Sequence, residues 1–206
     1  MTPTRSTGPS LARYPGRSCL LGEHCDWAGG SSLTVPLPMG ITVRGLDGPE
    51  GNKITLDTVL DGAPKQSSWH PSGGVDPEGG PLRFVPAALV ALHARGIHPP
   101  PTLLRVTSDL PAGRGFSSSA AFTLAVVDAL AQRAGHTFDP LEVADIAYEV
   151  EHDLLGVACG RLDQIACASR APVFVRWADG THVVQPAKPG TDFHLVVIAL
   201  PTPRDT

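Results

Sequence analysis

Residues 111–121 read PAGRGFSSSAA, and this stretch decides the fold. Ahead of it, LLRVTSDL at 103–110 has the β-branched and apolar character of a strand. Behind it, an apolar, alanine-rich run predicts a helix over 117–134 that Gly135 ends. The unit is strand, glycine turn, helix. Gly113 and Gly115 let the backbone approach a ligand closely, and Ser117, Ser118 and Ser119 open the helix. A helix start offers unpaired N–H groups and the positive end of the dipole, so phosphate is its natural guest. The lysine of a Walker A loop is absent, and only two of the three glycines of a dinucleotide fingerprint are present. A glycine turn with serine caps is the plainer alternative.

Outward from this unit, strand patterns occur at 13–22, within 31–46, and at 53–60, after a loose leader over 1–12. Residues 61–80, rich in Gly, Pro and Ser, read as a loop, and 82–96 as a helix closed by Gly96. CGRLDQIACAS at 159–169 suits a short helix, and APVFVRW, THVVQP and FHLVVIAL suit three closing strands. Strands and helices mixed in one domain predict an α+β architecture, a mixed sheet packed with helices.

The helix after the phosphate loop has clear punctuation: Asp139 as N-cap, Pro140 at its first position, Glu142 completing a capping box, and Gly156 as its stop. On a helical wheel Glu142, Asp145, Glu149, His152 and Asp153 share a polar arc. Glu151 falls in the middle of the apolar arc. A carboxylate there needs a partner, because an unpaired buried charge is very costly. An arginine and a metal ion beside a bound phosphate are the two candidates.

Two further stretches carry chemistry. In LGVACGRLDQ, 155–164, Asp163 follows a turn containing Gly156 and Gly160; it suits either a proton acceptor for a bound hydroxyl or a capping residue. In GRSCLLGEHCDWAGG, 16–30, Glu23, His24 and Asp26 stand together between glycines. Carboxylates and an imidazole can bind the hydroxyls of a sugar. A metal fits less well, since no further ligand sits at a matching spacing. Arg17 precedes the cluster and can tune a nearby acid.

Composition narrows the classes. The chain has 206 residues, 42% hydrophobic and 17% charged, enough for a sizeable core. A net charge of -4 provides no basic field for nucleic acid or an anionic membrane, so neither is an expected partner. No segment has the roughly 20 apolar residues needed to span a bilayer, and the N-terminus has no apolar signal core. Cys19, Cys25, Cys159 and Cys167 form no CxxC pair and read as free thiols, which fits a cytoplasmic location.

Taken in order, these stretches resemble the GHMP family of small-molecule kinases, and its galactokinase branch in particular. GRSCLLGEHCDWAGG resembles the galactokinase signature, PAGRGFSSSAA the family's phosphate loop, and EHDLLGVACGRLDQ the stretch ending in Asp-Gln. The resemblance covers about residues 13–170. It implies a ribosomal protein S5 domain 2-like, GHMP kinase N-terminal domain over 1–206, with the family's C-terminal domain missing. It implies transfer of a phosphoryl group from ATP, with Mg2+, to the anomeric hydroxyl of a monosaccharide.

Site roles follow by resemblance. Asp163 matches the catalytic Asp and Arg17 its pairing Arg. Ser119 and Glu151 match the magnesium ligands. Gly113, Gly115, Ser117, Ser118 and Ser119 match the triphosphate loop. Glu23, His24, Asp26 and Gly160 match sugar contacts, and Phe84 lies near the position of the adenine-stacking aromatic. Ser18, Cys25, Trp27, Arg114, Arg161 and Leu162 depart from the pattern, so an aldose other than galactose is open, with Trp27 and Arg161 reshaping its pocket. A non-catalytic sugar or nucleotide sensor, and a GHMP kinase for another small alcohol, are the alternatives. A missing domain or a homo-oligomer is a further expected partner.

Overall fold

The computed structural model describes residues 8–60, 62–78, 80–111, 113–178, 181–188, 190 and 194–198. Its centre is one long strand, β2 (Gly30–Asp47), of 18 residues. Along its length β2 pairs antiparallel with β1 (Ser10–Leu21). On its other side its C-terminal half pairs with β5 (Thr102–Ser108), and its N-terminal half with β6 (Val173–Ala178). β3 (Ile54–Leu60) joins β5 in parallel, β4 (Ala63–Trp69) pairs with β3, and β7 (Thr181–Pro186) pairs with β6. The order is β4-β3-β5-β2-β6-β7, with β1 on β2.

The strands predicted at 31–46 are thus one continuous strand. Pro36 and Pro38 interrupt ladders but do not end it, because β2 changes partner from β6 to β5 across that stretch. The expected loop 61–80 contains β4: Gly62, at φ 78°, turns the chain back onto β3. The leader is shorter than expected, since β1 begins at Ser10; residues 1–7 lie outside the described ones. The last predicted strand is not formed over residues 194–198, which pair with no strand among the described residues and leave Val196 and Ile198 more than three-quarters exposed. Phe193, Ala199 and Leu200 lie outside the described residues.

Helices cover one face. α2 (Phe84–Ala94), α4 (Pro140–Tyr148) and α5 (Leu162–Ser169) surround α3 (Ser118–Arg133), which lies on β1 and β2. α3 is apolar nearly all round, and twelve of its sixteen residues are buried. The capping box on α4 forms as read: Asp139 accepts from Leu141 and Glu142 N–H, and Glu142 accepts from Asp139 N–H. Beyond Tyr148 the helix widens into a π turn, Glu149–Leu154, instead of running regularly to Gly156. Phe84 is buried in the core with its ring edge-on to Phe122, so it is not a nucleotide-stacking residue here.

Candidate active site

The phosphate loop, the acidic loop and the N-terminus of α5 meet on one side of the sheet. β1 brings them together through Arg17. At Gly16, the residue before it, a Cβ would overlap Phe116 O and the Leu110 side chain, so only glycine lets β1 lie this close to the loop. Arg17 N–H then donates to Phe116 O at 3.2 Å.

Gly113, Gly115 and Ser117 have φ of 64°, 75° and 58°. Left-handed residues at every second position turn successive N–H groups toward one concavity, which is an anion cradle. Ser117 adopts the left-handed region without being glycine, and its buried Oγ has no hydrogen-bond partner among the described residues. Its side chain makes no capping bond, so the cap reading of that serine does not hold. The loop runs directly into the 16-residue α3, whose first turn holds Ser118 and Ser119.

Arg17 is only 8% exposed. Its Nε and Nη2 donate to Asp163 Oδ1 at 2.8 and 2.5 Å, Nη2 donates to Glu23 Oε1 at 3.0 Å, and Nη1 reaches Gly115 O at 3.4 Å. Burial alone would lower the guanidinium pKa; Asp163 and Glu23 reverse this and raise it, so the cation is held. One side chain thereby ties the acidic loop, the phosphate loop and the first turn of α5. Asp163 keeps part of its carboxylate exposed to the cleft.

The acidic loop contains a short helix, α1 (Cys25–Ala28), entered through His24 at φ 69°. Asp26 reaches across and accepts the Leu162 N–H at 3.1 Å, capping α5. Gly160 packs against the Asp26 carboxylate so closely that a Cβ would collide with it. Trp27 is largely exposed and tilts against the His24 ring.

Together these elements enclose a cleft of about 760 Å³. It is lined by Arg17, Glu23, His24, Asp26, Gly113, Gly115, Ser117, Ser118, Ser119, Gly160 and Asp163; of the expected site residues Glu151, Phe84 and Arg161 stand outside it. Glu151 lies behind the wall, 2% exposed. Among the described residues no arginine pairs with it; Gln164 Nε2 donates to its Oε1 at 3.2 Å. Burial pushes its pKa up to about 7, opposed by hydrogen bonding from Gln164, Ser119 and Thr123. Among the described residues no cluster of three or more His, Cys, Asp or Glu could cage a metal, including the acidic loop.

The sequence reading missed Gln164 as the support of Glu151; the buried Glu151 was itself the signal that some donor must face it. It also missed His152, which lines the cleft. Arg161 does not enter the cleft: it pairs with Asp145 at 2.5 Å and lies 4.0 Å from the Tyr148 ring centre. The four cysteines are free, and burial pushes Cys19 and Cys159 up to about 12, so neither is a thiolate nucleophile at neutral pH.

Comparison with known proteins agrees with this geometry. Residues 83–170 match the GHMP kinases N terminal domain, and residues 5–45 the galactokinase galactose-binding signature. The chain carries the N-terminal domain of a GHMP kinase. This domain is 33% identical over 158 residues to a galactokinase of Mycobacterium tuberculosis, covering 77% of this chain and 43% of that one. The galactokinase of Pyrococcus furiosus is 32% identical over 164 residues, at 75% and 42% coverage. The chain thus spans less than half the length of these relatives. The GHMP fold is also that of Lactococcus lactis galactokinase complexed with galactose (TM-score 0.73, 22% identity, 89% of this chain and 48% of the other). Methanococcus jannaschii mevalonate kinase aligns with the same TM-score, at 17% identity over 89% of this chain and 57% of the other.

Proposed function

We propose that this chain provides the acceptor and nucleotide sites of an ATP-dependent sugar kinase that phosphorylates a monosaccharide at its anomeric hydroxyl. The observation that carries the reading is Arg17, which bonds the catalytic candidate, the acidic loop and the phosphate loop at once. Glu23, His24 and Asp26 hold the acceptor; the cradle from Gly113 to Ser117 and the start of α3 hold the ATP phosphates.

Asp163 accepts the proton of the acceptor hydroxyl, and the hydrogen bonds from Arg17 aim its carboxylate. The acceptor oxygen forms a bond to the γ-phosphorus as the bond from that phosphorus to the bridging oxygen of ADP breaks. Phosphoryl transfer needs mainly positioning and charge stabilisation, which this set supplies. The donor set also fits Mg2+: Ser119 Oγ and Glu151 are hard oxygen ligands, and Glu151 is a buried carboxylate with no cationic partner among the described residues. Bound there, the ion would screen the charge of the transferring phosphate. Among the described residues no helix is long and apolar enough to cross a membrane; the free thiols go with a cytoplasmic location in this reading.

The test is ADP formation by the full chain with MgATP and a panel of aldoses. A turnover with one sugar that Asp163→Asn lowers by about a thousandfold, while ATP binding stays within twofold, is expected. Unchanged turnover in Asp163→Asn would sink the assignment. Sugar and ATP binding without ADP formation would favour the non-catalytic sensor.

A further inference from the structure

At the rim of the cleft, five side chains outside the machinery above form one continuous array. Arg161 lies flat over Tyr148, its guanidinium carbon 4.0 Å from the ring centre, and is anchored by Asp145 at 2.5 Å. On Tyr148 stacks His152, with ring centres 4.8 Å apart and planes at 15°. His152 Nδ1 is bonded to Asp153 Oδ1 at 2.7 Å. Two independent contacts therefore fix one imidazole, although it stands on an open rim and is 44% exposed. A solvated histidine needs neither.

The array stands beside the acidic loop. Arg161 follows Gly160, which packs on the Asp26 carboxylate, and precedes Leu162, whose N–H Asp26 accepts. Val157 N–H donates to Glu151 O at 2.9 Å and folds the segment 157–160 back onto the π turn that carries His152. Asp26 also acts electrostatically on Tyr148. With Nδ1 committed to Asp153, the other ring nitrogen remains for a ligand in the cleft that His152 lines.

We propose that His152 is an acceptor-binding residue: its free ring nitrogen hydrogen-bonds a hydroxyl of a polyhydroxylated acceptor, away from the hydroxyl that is phosphorylated, and Arg161 and Tyr148 are positioning residues behind it. This rests on the sugar-kinase reading. It assigns Arg161 a role as support for the pocket wall, not as a contact.

The experiment uses the full chain and five probes: D-galactose, L-arabinose, D-glucose, D-mannose and D-galacturonate. The sugar that most raises the melting temperature is then titrated calorimetrically, without nucleotide, into wild type, His152→Ala, His152→Gln and Arg161→Met. His152→Ala is expected to weaken sugar binding about tenfold, the size of one lost hydrogen bond. His152→Gln, which keeps a donor and an acceptor, should recover to within about threefold. Arg161→Met should weaken sugar binding about threefold, and MgATP affinity should stay within about twofold in all three variants. Sugar binding unchanged in His152→Ala, or a matching loss of MgATP affinity, overturns the proposal while leaving the kinase reading intact. Failure of the wild type to bind any of the five sugars overturns both.

Discussion

Glu151 has the least favourable surroundings of any residue at the site. It is a carboxylate held 2% exposed against an amide, and burial raises its pKa to about 7 from 4.5. Between those two values the folded chain keeps a proton that the unfolded chain has lost. The folded state then binds more protons, so stability falls as pH rises through the window and is level above it. The full cost is on the order of 3 kcal/mol, at 1.36 kcal/mol per pKa unit. Glu151→Gln removes the ionisable group and keeps the shape. In urea unfolding of the free protein, the variant should be more stable than wild type at pH 8, and this margin should shrink toward pH 4.5. A margin that does not change with pH would show that Glu151 has the same pKa in the folded and unfolded states. If Glu151 holds Mg2+ as proposed, the same variant should lose phosphoryl transfer, so that stability and activity move in opposite directions.

At the scale of elements, the phosphate loop depends on three left-handed residues in five. Ala at position 115 would have to hold φ near 75°, at a cost of about 1–2 kcal/mol. Gly115→Ala is therefore expected to lower stability by about that amount and to weaken MgATP binding at least about tenfold, since the cradle itself must distort. Ser117→Gly relieves the strain at φ 58° and removes a buried hydroxyl without a partner, so it should be at least as stable as wild type. MgATP affinity measured on both variants separates backbone from side chain: if Ser117→Gly weakens binding as much as Gly115→Ala does, the hydroxyl and not the cradle binds the phosphate.

Much of this element was readable in advance: the strand, the glycine turn and the apolar helix all show in the sequence, although a plain glycine turn with serine caps fits the same residues until the other motifs are added. The capping box on α4 was equally plain, as local hydrogen bonding alone determines it. The π turn was not. A wheel drawn at a fixed angle per residue places Glu151 inside but cannot show that the helix widens there. Nor could β4 be read, since its residues are nearly all exposed and only pairing with β3 makes them a strand. Residues 194–198 failed in the opposite sense: apolar enough for a strand, they join no ladder among the described residues.

For the whole molecule, α3 connects two anchors. Its first turn continues the phosphate loop; at its last residue, Arg133 is 1% exposed and donates to Gly8 O, Asp47 Oδ1 and Thr102 Oγ1. Arg133 thereby fastens the start of the described chain, the end of β2 and the start of β5 to the far end of the helix. Asp47 is 85% exposed, so it rehydrates when its partner is removed; the loss in Arg133→Met comes from the buried hydrogen bonds and the packing of the long side chain. A destabilisation of about 2 kcal/mol in urea unfolding is expected. The cleft should not respond, because the buried body of α3 lies between the two ends and sites this far apart add independently. MgATP affinity in Arg133→Met should therefore stay within about twofold of wild type. A larger fall in affinity than in stability would mean that α3 moves as a rod, with its distal anchor setting the position of the phosphate cradle.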